Sequence, residues 1–223
     1  MKKIISIVFV ISLCFVSFGC GNSANKNSSS KQDEFPVKET AIAYEEGLYT
    51  VGDQLPAGDY ILVNIGEYEG WLTEYNDKSG TDSSRTNLVS FASFIYYRIM
   101  PDTYIELRSA VAYSVGTGAT EVKGLADVVN ILNDSGKYVA GMYWVGVDIE
   151  EGVYEFKPVD RDYGGRVYVY SDIPRGPDKG SSDKSYVSIE SNDYPFTFSA
   201  DVNNGQYISV RGATFERIEN KFE

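Results

Sequence analysis

The order of apolar and polar positions divides the chain into three regimes. After the basic start Met1-Lys2-Lys3, the run from Ile4 to Phe18 (IISIVFVISLCFVSF) carries no charge. At about 1.5 Å per helical residue it spans roughly 22 Å, short of the ~30 Å of a bilayer core. No stop-transfer charges follow. A basic, then apolar, then small-residue segment predicts a secretory signal over residues 1–19, with an uncleaved N-terminal anchor as the competing reading. The stretch from Asn22 to about Thr40 is rich in Ser, Asn, Lys and Gln. It has too little apolar surface to offset its ordering entropy and is expected to be a flexible tether over 20–40. Beyond it, short runs alternate apolar and polar residues between Gly, Asp, Asn and Ser clusters, the pattern of half-buried strands.

Those strands come twice. Gly47-Leu-Tyr-Thr-Val-Gly-Asp-Gln-Leu-Pro-Ala-Gly-Asp-Tyr60 lies on Gly141-Met-Tyr-Trp-Val-Gly-Val-Asp-Ile-Glu-Glu-Gly-Val-Tyr154 with Gly, Tyr, Val, Gly, Gly and Tyr in common. Tyr75-Asn76-Asp77 matches Tyr170-Ser171-Asp172, and Tyr104 to Ala110 matches Tyr207 to Ala213. Three blocks in one order indicate a tandem duplication, with units over 41–117 and 137–219. Gly52/Gly146 and Gly58/Gly152 bracket a turn that calls for positive φ or a close approach. Each unit should hold six or seven short strands, so the expected fold is all-β: two small antiparallel sandwich or jelly-roll-like units. Units of this size without a covalent staple are marginal alone, which predicts an interface between them. In the linker 118–136, Leu125, Val128, Val129 and Leu132 have helical spacing and are followed by Asn133-Asp134-Ser135-Gly136. A connector helix of about ten residues is one reading, and a polar turn with a strand is the other.

Laying one copy on the other separates the core from what is special to each. Tyr60 and Leu62 align with Tyr154 and Phe156, and Phe91, Ile95 and Ile99 with Tyr194, Phe198 and Val202. Both sets are apolar twice and read as core. Ile61, Val63, Phe94 and Tyr96 align instead with Glu155, Lys157, Thr197 and Ser199. The first unit therefore has a second apolar face. It is either a contact site or a surface covered by the linker or the other unit. Trp144 aligns with Thr50 and should point outward; Trp71 aligns with Arg166. Exposed indoles suit stacking on sugar rings or anchoring a protein partner, against the alternative of packing on a neighbouring loop. Arg108 and Arg211 share one position, on the strand face of Tyr104 and Tyr207. A carboxylate or cation–π contact within each sheet is the first reading, and a paired anion site the second.

Composition narrows the chemistry. Of the 223 residues, 20 are Lys or Arg, 32 are Asp or Glu and none is His, for a formal charge of −12. Without His there is no Ser-His-Asp triad, Cys-His pair or His-ligated zinc. The acidic balance argues against nucleic acid as a partner. The Ser-x-x-Lys spacings at Ser23–Lys26 and Ser181–Lys184 lack the α/β scaffold of a serine β-lactamase. Asp160-Arg-Asp-Tyr-Gly-Gly165 reads as a hairpin loop. Asp172, Asp178 and Asp183 lie in a polar loop without the calcium-loop motif, so no metal or cofactor is expected.

Gly19-Cys20-Gly21-Asn22 resembles the lipobox of bacterial lipoproteins, although Ser17 and Phe18 stand where that pattern usually has Leu and a small or β-branched residue. The resemblance implies cleavage before Cys20 and a diacylglycerol on its thiol. It also implies retention on the outer face of the bacterial cell membrane. Cys14 would leave with the signal, so an exported chain would carry a single cysteine. The glycine-aromatic phrase is similar to a YxVGxDIPAGxY-type repeat of uncharacterised lipoproteins and surface proteins of Gram-positive bacteria, which implies a cell-surface location and no chemistry.

The expected function is that of a lipid-anchored, non-catalytic binding or interaction module. Its partner would be a cell-wall glycan or an envelope protein, at Trp71, Trp144, Phe94, Tyr96, Ile61 and Val63. The alternatives are a structural or assembly component of the envelope and a carboxylate-dependent glycoside hydrolase.

Overall fold

Four tyrosines explain why the repeated phrase folds the same way twice. The Tyr49 hydroxyl donates to the Glu45 carbonyl at 2.7 Å and Tyr143 to Val139 at 2.6 Å. Tyr60 donates to Pro56 at 2.7 Å and Tyr154 to Glu150 at 2.8 Å. Each ring is apolar enough for the core, and each hydroxyl finds the backbone four residues upstream, which satisfies a polar tip that burial would otherwise penalise. Between the paired tyrosines the chain turns back on itself. Gly52 N–H donates to the Leu55 carbonyl at 2.8 Å and Gly146 N–H to Ile149 at 2.7 Å. The glycines stand at φ +97° and +93°, where a side chain is strained.

The computed structural model describes residues 37–159, 165–173, 185–189 and 197–218. The first repeat comprises β1 (Ala43–Tyr44), β2 (Gly47–Thr50), β3 (Gly58–Asn64), β4 (Gly70–Tyr75), β5 (Arg85–Phe91), β6 (Phe94–Ile99), β7 (Tyr104–Arg108) and β8 (Ala110–Ser114). The second comprises β9 (Gly141–Trp144), β10 (Gly152–Pro158), β11 (Gly165–Tyr170), β12 (Ser185–Ile189), β13 (Phe198–Val202), β14 (Tyr207–Arg211) and β15 (Ala213–Arg217). Strand order is β1-β8-β3-β6 and β2-β7-β4-β5 in the first repeat. In the second it is β13-β10-β15 and β12-β11-β14-β9. Every named pair is antiparallel, and the registers superpose: Tyr49↔Ile105 corresponds to Tyr143↔Ile208, and Trp71↔Arg108 to Arg166↔Arg211. The place of β1 is taken in the second copy by a single bridge, Tyr138↔Phe215. The chain is thus all-β, two tandem sandwich-like units, with one more strand in the first than the expected six or seven.

Alternation puts one face of each strand inside, with Tyr60, Leu62, Tyr154 and Phe156 buried as expected. Leu72, Ile105 and Leu107 are also buried in the first unit, and Val167, Ile208 and Val210 in the second. The alignment holds for Ile95 and Ile99, which occupy the registers of Phe198 and Val202. It fails for Phe91. That residue ends β5 opposite Gly70, the register of Ile189 opposite Gly165, so its counterpart is Ile189. Tyr194, the counterpart expected from spacing, lies outside the described residues. So do the signal, Cys20, Asp160 to Gly164, Asp178, Asp183 and both ends of Ser181–Lys184.

The connector helix does not form. Only a 3₁₀ turn, Leu125–Asp127, stands there. Leu125, Val128 and Val129 are all buried, but Leu132 is 40% exposed and makes an isolated bridge to Tyr138. The apolar spacing is therefore satisfied by a tight turn that docks three side chains. The β-branched and Asn residues that follow have little propensity to extend it.

Both repeats belong to one compact unit. The second apolar face of the first repeat is the reason. Ile61, Phe94 and Tyr96 are buried, and Val63 is half-buried against the same cluster. They belong to one buried cluster with the linker residues Val122, Leu125, Val128 and Val129, and β6, which carries Phe94 and Tyr96, packs on β9 of the second repeat. The Phe94 ring packs edge-on to Tyr143 at 5.2 Å and occupies space that a Cβ on Gly141 would need, 2.3 Å away. Phe94 and Tyr96 form the seam between the repeats, and Ile61 and Val63 lie in the same cluster, which favours the reading of this face as a covered surface.

Candidate functional site

Trp144 also belongs to the seam. It points out of its own sandwich, as its register requires, but is half-buried. It stacks on Tyr207 at 5.6 Å and 19°, and meets Tyr96 edge-on at 6.3 Å. Beside it Asp148 draws three segments together. Its carboxylate accepts from Trp144 N–H (2.7 Å), Leu125 N–H (2.7 Å) and the Tyr96 hydroxyl (2.8 Å). Burial raises the Asp148 pKa, against the lowering effect of those bonds. At the rim, Arg98 forks onto Asp59 (2.6 and 3.1 Å) and reaches Asp172 of the second repeat at 3.0 Å. The carboxylates of Asp59 and Asp172 hold the guanidinium pKa above its usual value. Asp172, one of the three acids of the polar loop, is thereby committed to an ion pair.

Trp71 is placed differently. It stands on β4, on the outer face of the sheet β2-β7-β4-β5, half-buried. Alternation puts Thr73 and Tyr75 beside it and Arg108 directly across on β7. The loop after β4 rises over this face. It is tied to itself by Ser79 N–H on Asp77 (2.8 Å), Asn76 N–H on the Ser84 carbonyl (3.0 Å) and the Ser84 hydroxyl on the Thr81 carbonyl (2.9 Å). Sheet and loop enclose a hollow of about 540 Å³, lined by Trp71, Tyr75, Asp82, Arg85, Leu88 and Arg108 among others. Arg108 sits against Glu106 at 2.8 Å, which raises its pKa, and Glu106 also accepts from the Tyr75 hydroxyl at 2.7 Å. Arg85 pairs with Asp82 at 3.3 Å.

A second hollow of about 240 Å³ adjoins the first through Trp71 and Leu88. Its far wall is the equivalent outer face of the second repeat: Tyr168 and Tyr170 of β11, and Ser209 and Arg211 of β14. A third, about 200 Å³, continues past Ser90, Ser209 and Arg211 to the seam. The three adjoin through shared lining residues as a groove with walls from both repeats, and Trp71 lines the first two. Of the sequence-derived candidates, it contains Trp71, with Arg108 and Arg211 at its sides; Trp144, Tyr96, Ile61 and Val63 are not in its lining, and Phe94 touches only its inner end. Arg85, Leu88, Tyr168 and Tyr170 were not anticipated. They lie on strands whose outer faces meet only through tertiary packing, although the shared position of Arg108 and Arg211 was a pointer.

Elsewhere, a hollow of about 540 Å³ lies at the 146–151 turn. There Arg217 pairs with Glu150, and Asp148 is engaged as described. Among the described residues no three His, Cys, Asp or Glu side chains gather as a metal site would require. No family model, curated protein or solved structure matches the chain.

Proposed function

We propose that the chain is an exported protein held on the outer face of the bacterial membrane by a lipid on Cys20, and that it binds a glycan without catalysis in the groove between its repeats. One observation carries the reading: a half-buried indole, Trp71, sits at the junction of two adjoining hollows, with aromatic and arginine side chains on both sides. Sugar rings present axial C–H faces that stack on indole and phenol rings, and equatorial hydroxyls that meet guanidinium and hydroxyl groups at the edge. An open groove admits a chain threaded through it, whereas a small metabolite needs an enclosing pocket. A polar tether before the folded unit would hold such a groove clear of the membrane.

The test uses the chain from residue 21 onward, which contains every described element. Binding to a glycan panel and to purified cell wall is measured for the wild type, Trp71→Ala and Trp144→Ala. Trp71→Ala is expected to weaken binding by about tenfold or more, the loss of one stacked ring. Trp144→Ala is expected to lower stability, because its ring lies in the seam. Absence of binding across panel and wall would refute the glycan reading. The anchor is tested separately by fatty-acid labelling of the full chain, lost in Cys20→Ser.

A further inference from the structure

The second repeat carries an arrangement that sheet energetics disfavour. Arg166 and Arg211 stand directly opposite each other on β11 and β14. Both side chains point to the outer face and both residues are exposed. Directly opposed like charges, with Cβ atoms about 5 Å apart, destabilise a strand pair. Among the described residues neither guanidinium has a carboxylate partner. In the first repeat the same two positions hold Trp71 and Arg108, which are compatible neighbours. The chain has an acidic excess of 12 charges, yet Arg85 and Arg108 line the first hollow and Arg211 the second, with Arg166 directly opposite Arg211 on the same outer face. Among the described residues, Arg85 and Arg108 have acidic partners, Asp82 and Glu106, and the other two have none.

We infer that the groove selects an anionic polysaccharide, with one acidic substituent between Arg166 and Arg211 and a second near Arg108. This rests on the glycan reading above and gives it a substrate class. A carboxylate or phosphate placed between the opposed guanidinium groups accepts from both and turns their repulsion into two charge-assisted bonds. The planar fork of arginine suits that bridging geometry better than lysine would. Trp71, between the two cationic positions, stacks the intervening ring. The overall negative charge works against this ligand at long range. Selection therefore operates within a Debye length, about 10 Å at 0.1 M salt, where the arginines dominate.

The experiment compares two pairs of polymers that differ only in charge: polygalacturonate against its full methyl ester, and phosphomannan against mannan. Affinity is measured at low and high salt. The ratio of charged to neutral affinity is the readout, for the wild type, Arg211→Gln, Arg108→Gln and Lys157→Gln. Lys157 is exposed on β10, outside the groove. The wild-type ratio is expected to be about tenfold or more in at least one pair, shrinking with salt. The pair that shows it identifies the anion as carboxylate or phosphate. Arg211→Gln and Arg108→Gln each bring the ratio towards one, and Lys157→Gln leaves it unchanged. Both arginines are exposed, so these variants test recognition with the fold intact. Equal affinity for charged and neutral polymers, or arginine variants that keep the wild-type ratio, would overturn the inference and leave the glycan reading standing. Failure of all four polymers to bind, with other glycans also silent, would remove both. Poly-glutamate bound as tightly as polygalacturonate would show that charge alone is read, and would overturn the assignment to a sugar polymer.

Discussion

The seam makes its sharpest claim at one repeat position. Gln54 and Asp148 are equivalent, and both close the same turn by accepting a backbone N–H four residues back: Thr50 at 2.9 Å and Trp144 at 2.7 Å. Gln54 does nothing more, on an exposed turn. Asp148 adds Leu125 N–H and the Tyr96 hydroxyl, and so joins turn, linker and first repeat. Replacing Gln54 by Ala removes one exposed hydrogen bond, worth about 0.5–1 kcal/mol. Asp148→Ala leaves two backbone donors and a buried phenol without an acceptor. Charge-assisted bonds of about 1.5–3 kcal/mol each, reduced by the burial cost the carboxylate itself bears, leave a net loss of about 3–5 kcal/mol. Urea unfolding followed by circular dichroism checks both. A difference of less than about 1 kcal/mol between the two variants would refute the assignment of Asp148 as the tie between repeats. A Tyr96→Phe/Asp148→Asn cycle should return a coupling of about 0.5–3 kcal/mol. Burial raises the Asp148 pKa, so folding takes up a proton between the ordinary carboxylate pKa and the raised one. Stability relative to Asp148→Asn therefore falls as pH rises through that interval and is level above it.

Gly52→Ala is strained by its φ of +97° but meets open space, whereas Gly146→Ala at +93° also drives a Cβ to 2.7 Å from the Asn204 side chain. Thermal melts should show both destabilised by about 1–2 kcal/mol, since the exposed Asn204 side chain can swing away from the new Cβ and the positive φ dominates in each. A loss below about 0.5 kcal/mol in either would contradict the strain assigned to these turns. Burial raises the phenols of Tyr60, Tyr96, Tyr97, Tyr143 and Tyr207 above the ordinary value and pushes Tyr154 up to about 12. Their contribution is complete below about pH 10 and is lost as pH rises beyond it. Phenolate absorbance should therefore rise together with loss of the β signal, and gradual ionisation near pH 10 in an intact fold would disprove this. Phe94→Ser, which leaves a hole in the seam, should cost about 3–5 kcal/mol in the same unfolding assay, while a loss below about 1 kcal/mol would mean that the seam is open in solution.

How much of this could be read beforehand depended on whether local chemistry settled the outcome. The repeated turns were legible because a glycine at positive φ and a tyrosine reaching back four residues are local devices that leave fixed letters at fixed spacings. The core was legible because alternation on one strand decides which side chains go inward. Phe91 went astray where spacing alone was used. The second copy is longer between β12 and β13 than the tight β5–β6 connection, and only the pairing of Gly165 with Ile189 reveals where the extra residues fall. Leu125, Val128 and Val129 misled for a different reason. Three apolar residues at helical spacing state that one side is buried, but a 3₁₀ turn whose first N–H donates to Asp148 from another segment buries the same three.

The site was legible only as differences between the copies, and those differences had two causes that one sequence cannot separate. Where the copies touch each other, symmetry must break, because one surface has to become apolar to receive its partner: hence Phe94 and Tyr96 on β6 of the first copy, packed on β9 of the second. Symmetry also breaks on the outer faces that wall the hollows, where Trp71 stands at the register that Arg166 holds in the second copy. Exposure separates the two classes. The seam residues Phe94 and Tyr96 are buried, whereas Arg108 and Arg211, which line the hollows with Trp71, remain exposed. Trp144 shows how closely the classes resemble one another in sequence. It is an outward indole unique to its copy, as Trp71 is, yet Tyr207 and Tyr96 enclose it. The seam and the hollows are thus linked in the fold: with β6 packed on β9, the equivalent outer sheet faces of the two copies lie on either side of Trp71, and the arginine shared by both copies stands at 108 in one hollow and at 211 in the next.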